Sequence, residues 1–316
     1  MAQPSVSSYL RMQEVKRAMI EDSNPTNRVL DVLSFLAAHP AETFTLAEIA
    51  RQVGLSTGSA HRVLTTMAKA QFLARDEKRR TYSLGVAMVA AGQAAIEKYR
   101  GVDIARREIA KLAAELDVQC SASTVTAGEL MVLVKEGAPK SHMALTRVGE
   151  RRPLIPPVGL CHVAWAGEAA IEAYIGKVDF YLSETVRKHL HDTFPLIRRR
   201  GYSISVTGPN AGHALQAMTL PIGRAPDAEY WTNLYELIGK IMPDEVQLFD
   251  LAGADETGIG HITAPVFAPD GTVAMQLVMI GMARKLGARD IEHYAERLCA
   301  TAALITSEMH GRVPKG

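Results

Sequence analysis

One stretch decides the fold of the first part of this chain, and it reads TLAEIARQVGLSTGSAHRVL over residues 45–64. Thr45 stands before an apolar run with helical spacing, and Glu48 follows it by three residues, which is the pattern of a capping box. A helix is therefore predicted over Leu46–Gln52. The glycine in the next turn can end that helix, and Ser56 is suited to cap a second one. Two helices joined by such a turn predict a helix-turn-helix.

The flanking segments extend this unit to a winged helix. Apolar residues with helical spacing predict a preceding helix that starts at Pro25 and ends near Ala38. Downstream, two strand-like runs, Phe72–Arg75 and Thr81–Leu84, flank the charged turn Asp76–Arg80. Two short strands around a polar turn predict a β-hairpin, which is the wing.

The start of the second helix and the tip of the wing are candidate contacts to duplex DNA. Small hydroxyl side chains at a helix N-terminus suit phosphates and base edges, and longer polar side chains one turn later reach into a major groove. Cations at a wing tip suit the phosphate backbone or the minor groove. The predicted DNA contacts are Ser56, Thr57, Ser59, His61, Arg62, Lys78, Arg79 and Arg80. The alternatives are a solvated charged turn and a winged helix that binds only protein.

The same segment also fits the G-x-S-x-G pattern of a hydrolase nucleophile, over Gly54–Gly58. That motif requires a strand before the serine. Here a helix precedes it and Ser56 serves as a helix cap, so a hydrolase is not indicated.

Charge is divided unevenly along the 316 residues. The net charge is +1, but residues 1–100 carry 13 basic and 9 acidic side chains, and residues 101–316 carry 22 and 25. The first part is thus at +4 and the remainder at −3. This division indicates that only the first part meets an anionic partner.

Cysteine usage and hydropathy narrow the class of protein. Three cysteines without C-x-x-C spacing argue against a disulfide framework and a zinc site, and no cofactor motif is present. No apolar run reaches the roughly 20 residues that span a bilayer, and no secretion signal is visible. We expect a cytoplasmic protein without a metal or cofactor.

The chain is predicted to have four parts. Residues 1–24 are a polar extension, 25–84 the winged helix, 85–100 an alanine-rich linker helix and 101–316 a second domain. An exposed alanine-rich helix can also pair with its copy in a dimer, which operator recognition favours.

The second domain reads as a mixture of helices and strands. Hairpins are predicted over Gln119–Lys135 and His261–Met279, a further strand over His142–Arg147, and helices over Val102–Leu116 and Asp227–Met242. A proline-rich loop ends at Gly159, before a helix that starts near Leu160, and it is either a carboxylate cradle or an ordinary loop. Alternation places Gln276, Val278 and Ile280 on one strand face.

The segment Asn27–Gly85 resembles the DNA-binding domain of the IclR family of bacterial transcription regulators. The resemblance rests on the runs Arg28–Leu33, Thr45–Ala50, Val53–Ser56, His61–Leu64 and Tyr82–Gly85. Ser59-Ala60 stands where the family usually has Thr-Val, and this departure should alter operator preference.

The remainder resembles, more loosely, the effector-binding domain of the same family, on Gly149, Pro153-Leu154, Gly159, Arg200–Tyr202, Ala264–Phe267 and Asp270-Gly271. The resemblance implies an α+β protein: a winged helix-turn-helix, a linker helix, and a mixed α/β domain like GAF or profilin folds, with an antiparallel sheet and a small-molecule pocket. It also implies a homodimer or homotetramer on operator DNA. The implied effector contacts are Cys120, Val158, Gly159, Leu160, His261, Val278 and Ile280.

In family members that bind small polar acids, the positions matching Val278 and Ile280 carry hydroxyl groups. Here both side chains are apolar, so a ligand more apolar than such an acid is an alternative. A plain buried strand face is the simpler interpretation of any one of these residues. The segment 207–257 is longer than the family's. Two other function classes stay open: an enzyme with an accessory winged helix, and an interaction scaffold.

Overall fold

The computed structural model describes residues 25–138, 147–206, 217–220, 226–242, 259–282 and 286–314. Contacts between residues divide the chain into two units. One contains residues 1–95 together with 221–232, and the other contains 96–220 together with 233–316. In the described part of the chain, no helix is long and apolar enough to cross a membrane.

The first unit contains the winged helix. Its elements are α1 (Pro25–Ala37), β1 (Phe44–Thr45), α2 (Leu46–Gln52), α3 (Thr57–Lys69), β2 (Leu73–Asp76) and β3 (Thr81–Leu84), followed by α4 (Val86–Lys98). The strands form an antiparallel sheet in the order β1-β3-β2. The predicted helix-turn-helix and wing are confirmed. Strand β1 was not predicted, because its two residues form a strand only by pairing with the wing.

Capping fixes where the two helices of the helix-turn-helix begin. The Thr45 backbone N–H donates to the Glu48 carboxylate over 2.8 Å, and the Glu48 N–H donates to Thr45 Oγ1 over 3.3 Å. At the second helix, Ser56 Oγ accepts from the Ser59 N–H over 3.3 Å. Both caps satisfy amides that a helix start leaves without a partner. A buried apolar cluster joins the three helices to the wing: Val32, Phe35, Leu36, Ile49, Val53, Leu64, Met67, Leu73 and Tyr82.

The second unit is built on a six-stranded antiparallel sheet in the order β6-β5-β4-β9-β8-β7. Its strands are β4 (Gln119–Thr126), β5 (Glu129–Glu136), β6 (Arg151–Pro153), β7 (Ser203–Val206), β8 (Ile259–Phe267) and β9 (Val273–Ile280). Its helices are α5 (Arg100–Leu116), α6 (Leu160–Val163), α7 (Glu168–Ile175), α8 (Glu184–Arg200), α9 (Ala228–Ile241), which begins in the first unit, and α10 (Ala288–Glu308). The α+β fold class is confirmed.

The two faces of this sheet have different surroundings. Helices α5 and α10 pack on one face, where β4, β8 and β9 contribute side chains such as Ala122, Ile262 and Leu277 to a buried apolar core. Successive side chains of a strand point to opposite faces. The neighbouring residues Ser121, Ser123, Thr263, Gln276 and Val278 therefore point away from that core.

Several boundaries agree with the sequence, and others depend on tertiary contacts. Both long hairpins, α5 and α9 lie where periodicity predicts them. The helix predicted near Leu160 has only four residues. The predicted strand His142–Arg147 lies, except for Arg147, outside the described residues.

Candidate functional site

The exposed face of α3 is the first candidate site. Ala60, Leu64 and Met67 are buried, so the opposite side of the helix, with Thr57, His61 and Arg62, is exposed to solvent. Buried and exposed positions recur at helical spacing, which fixes the rotation of the helix about its axis. The polar face that the sequence predicts for DNA is therefore available for contact.

A hydroxyl network orders the start of α3. Ser56 Oγ donates to Ser59 Oγ over 3.1 Å, and Ser59 Oγ also accepts long hydrogen bonds from Arg62 Nη2 (3.5 Å) and Arg28 Nη1 (3.4 Å). Arg28 lies on α1, far from Ser59 in sequence, so sequence reasoning missed it. Its guanidinium adds a second cation beside the helix N-terminus, where an anion is favoured.

Hydrogen bonds from backbone N–H groups hold the turn at the tip of the wing, and its cationic side chains take no part in them. The Asp76 carboxylate accepts hydrogen bonds from the backbone N–H groups of Lys78 (2.9 Å) and Arg79 (3.0 Å), and the bond from Arg79 is the main cause that lowers the pKa of Asp76. The side chains of Lys78, Arg79 and Arg80 are exposed. Within the described ranges, these three form no ion pair, whereas Arg75 pairs with Glu77 at 3.4 Å. The three cations can therefore approach phosphates without breaking a contact.

A half-open cavity of about 80 Å³ lies on the sheet face of the second unit that turns away from α5 and α10. Strands β4, β5, β6, β8 and β9 and the loop before α6 contribute its wall. The lining residues are Ser121, Ser123, Leu130, Val132, Arg152, Pro157, Val158, Gly159, His261, Thr263, Gln276, Val278 and Ile280.

Five predicted effector contacts meet in this cavity: Val158, Gly159, His261, Val278 and Ile280. Gly159 has a φ of 84°, and a Cβ there would lie 2.4 Å from Leu154 Cδ1, so the loop needs glycine at this point. The common strand face of Gln276, Val278 and Ile280 is confirmed.

Two predicted contacts do not line the cavity. Cys120 lies on the other sheet face, within the core against α5, and not in the wall of this cavity. Cys120 and Ser121 are neighbours on β4, so their side chains point to opposite faces of the sheet, and Ser121 lines the cavity. Leu160 is buried at the first position of α6 and is not part of the wall either. Alternation along β4 is the signal that favours Ser121 and Ser123 over Cys120.

The charged groups of the cavity are compensated. Arg152 forms an ion pair with Glu150, which is buried. Glu150 also accepts hydrogen bonds from the Arg147 backbone N–H over 2.9 Å and from Thr219 Oγ1 over 3.0 Å. Burial, followed by the positive charge of Arg152, lowers the pKa of His261 to about 4, so His261 is neutral at pH 7.

The described residues that line the cavity include no cysteine and no cluster of metal ligands. The described part of the chain holds no group of three or more His, Cys, Asp or Glu side chains arranged for a metal ion. Burial raises the pKa of Cys120 to about 12 and that of Cys299 to about 11. A thiol nucleophile requires a lowered pKa, so neither cysteine is suited to that role.

Comparison with known proteins supports the resemblance predicted from the sequence. Residues 26–77 match the IclR helix-turn-helix domain. A solved IclR transcriptional regulator from Alicyclobacillus acidocaldarius is 17% identical with a TM-score of 0.59, over 90% of this chain and 98% of that one. The resemblance to this family is confirmed. A search of curated protein sequences gave no match.

Two further solved structures share the fold. HmgR from Pseudomonas aeruginosa is 21% identical with a TM-score of 0.57, over 90% of this chain and 97% of that one. An IclR homolog complexed with 4-hydroxybenzoate, from Microbacterium hydrocarbonoxydans, is 18% identical with a TM-score of 0.57, over 90% and 99% of the two chains. At these identities the likeness shows the fold.

Proposed function

We propose that this chain is a transcriptional regulator of the IclR family, and that its affinity for operator DNA changes when a small metabolite occupies the cavity of the second unit. The observation that carries the proposal is the exposed polar face of α3, capped by Ser56 within a matched helix-turn-helix domain. In this proposal, the predicted contacts between Ser56 and Arg62 read base edges. Those between Lys78 and Arg80, on the wing, bind phosphates.

The effector is proposed to be a carboxylic or aromatic acid or a more apolar compound. Support comes from the cavity on the free face of the sheet and from the homolog with bound 4-hydroxybenzoate. Occupation of the cavity must favour one of two states of the protein, with a coupling free energy of about 1–3 kcal/mol. The raised thiol pKa values and the compensated charges of the cavity support a binding role without catalysis.

We also propose a homodimer or homotetramer in the cytoplasm, with residues 1–24 as an extension and 85–100 as the linker helix. Val86 and Val89 on α4 are 66% and 70% exposed, and such apolar side chains are suited to cover a second copy. Light scattering coupled to gel filtration measures the mass directly. A monomer at micromolar concentration would contradict this part of the proposal.

Arg62→Ala tests the DNA-binding proposal. Loss of a side chain that reads a base edge should weaken binding to the DNA upstream of the gene by about 1–3 kcal/mol, measured by fluorescence anisotropy. Arg199→Ala, an exposed arginine of α8, removes the same charge from the second unit and should leave binding unchanged. Equal affinity of Arg62→Ala and the parent protein would favour an interaction scaffold instead.

A further inference from the structure

Among the described residues of the cavity wall, a buried serine and a buried glutamine each have a polar side-chain atom without a hydrogen-bond partner. Ser123 is 1% exposed and Gln276 is 6% exposed, and both line the cavity. They lie opposite each other in the β4–β9 ladder. In the part of the chain that the structure describes, neither Ser123 Oγ nor Gln276 Oε1 has a partner. Buried polar groups are nearly always paired, so this pair of atoms points to a polar atom of a ligand.

The charge of the described lining residues speaks against an anionic ligand. Arg152 is already paired with Glu150, whose carboxylate is also held by Arg147 and Thr219. His261 is neutral at pH 7. Helix α6, which begins at the cavity loop, has four residues, too few for an appreciable dipole. A carboxylate that entered would lose its hydration without gaining an uncompensated cation.

Apolar side chains form much of the remaining wall, beside the hydroxyl groups of Ser121 and Thr263. The apolar lining residues are Leu130, Val132, Pro157, Val158, Val278 and Ile280. The cavity volume of about 80 Å³ exceeds the roughly 10–15 Å³ that a single water requires, so the cavity can hold a small molecule.

We infer, on the basis of the proposed sensor function, that the effector is a small neutral compound with an apolar body and a hydroxyl or carboxamide end that pairs with Ser123 and Gln276. Either end group donates and accepts hydrogen bonds, as do the serine hydroxyl and the glutamine amide. The ligand thus completes the polar pair and covers the apolar wall. This assigns Ser123 and Gln276 as specificity-determining residues, beyond the effector contacts that the sequence predicts.

Isosteric ligands test the inference. Isobutyramide and isobutyrate have the same shape and number of non-hydrogen atoms but differ in charge, and phenol supplies a hydroxyl end. Each is titrated into the full chain at pH 7.5 by ligand-observed NMR and calorimetry. Isobutyramide and phenol should bind at least tenfold more tightly than isobutyrate. Equal or tighter binding of isobutyrate overturns the inference, and so does the failure of all three to bind at 20 mM.

Variants connect the preference to the named residues. Ser123→Ala should weaken isobutyramide binding about tenfold, whereas Ser203→Ala, a buried serine of β7 outside the cavity, should not change it. Glu150→Gln leaves Arg152 opposite a neutral amide and should shift the preference toward isobutyrate at least tenfold. If Glu150→Gln does not fold, Ser123→Ala still decides, because undiminished isobutyramide binding would exclude the pairing.

The experiments distinguish a failure of the inferred ligand class from a failure of the proposed regulator function. Operator binding is measured on the same protein preparation without ligand. Operator binding together with a preference for isobutyrate overturns the ligand class and leaves the regulator. A preference for isobutyramide without operator binding supports the ligand class and counts against the regulator.

Discussion

Removal of two wing cations should reduce DNA affinity by an amount set by counterion release. The double variant Lys78→Ala/Arg79→Ala deletes two exposed cations and keeps the backbone N–H groups that bind Asp76. The turn should therefore keep its conformation. If each cation neutralises one phosphate, the slope of log K against log salt changes by about 0.9 per contact, or about 1.8 for the two.

The same slope gives the loss of affinity at a working salt concentration. Relative to 1 M salt, one contact contributes about eightfold in affinity at 0.1 M, so two contribute roughly 60-fold for each winged helix bound. The loss should be the same for operator and unrelated DNA, because phosphate contacts carry no sequence information. Fluorescence anisotropy between 50 and 400 mM salt measures both quantities.

A matched variant separates this local effect from net charge. Arg106→Ala/Arg199→Ala removes two exposed cations, one from α5 and one from α8 in the second unit, and should leave the salt slope unchanged. Circular dichroism should give the same thermal midpoint for the parent protein and the wing variant. An unchanged slope in the wing variant would show that these cations do not meet phosphate, and the wing would then be a solvated turn.

Three further predictions concern stability and reactivity. Leu64 is fully buried, so Leu64→Ala should lower the free energy of unfolding by about 2–5 kcal/mol in urea denaturation, and a loss below 1 kcal/mol would contradict the packing described. The backbone N–H and hydroxyl of Thr45 lower the pKa of Glu48, so its carboxylate stabilises the fold above its unfolded pKa and ceases to do so as the pH falls through the lowered folded pKa. Glu48→Gln should thus reduce stability at pH 7 and match the parent protein at the acid end, and a pH-independent difference would contradict this. Burial raises the pKa of Cys120 to about 12, so iodoacetamide at pH 8 should modify it far more slowly in folded than in urea-unfolded protein, as read by peptide mass spectrometry.

Local signals were sufficient for the winged helix and for the longer elements of the second unit. The capping box of Thr45, the cap at Ser56 and the charged turn of the wing are contained within a few residues each, and the structure has each of them. Helix α8 carries a comparable signal that sequence reasoning overlooked. Ser183 Oγ accepts from the Val186 N–H over 3.3 Å, and an apolar helical pattern follows it.

Contacts between residues that are distant in sequence could not be predicted from the sequence. Arg28 reaches Ser59 from another helix, and β1 exists only because Phe44 pairs with Tyr82 of the wing. The location of Cys120 in the core could not be predicted for a similar reason. A strand sequence shows which residues alternate but not which of its two faces the helices cover, and the wrong choice of face exchanges a core residue for a cavity residue.

The sequence by itself determined the winged helix, because helix caps, a glycine turn and a charged hairpin turn act over a few residues and need no distant partner. The tertiary structure decided the cavity of the second unit. Ser123, Gln276 and His261 come from three strands, and Arg152 from a fourth. Only the strand order brings them to one face, where Arg152 is paired with Glu150. Strand order depends on contacts between residues far apart in sequence, so the chemistry of the cavity wall is determined by the assembled sheet.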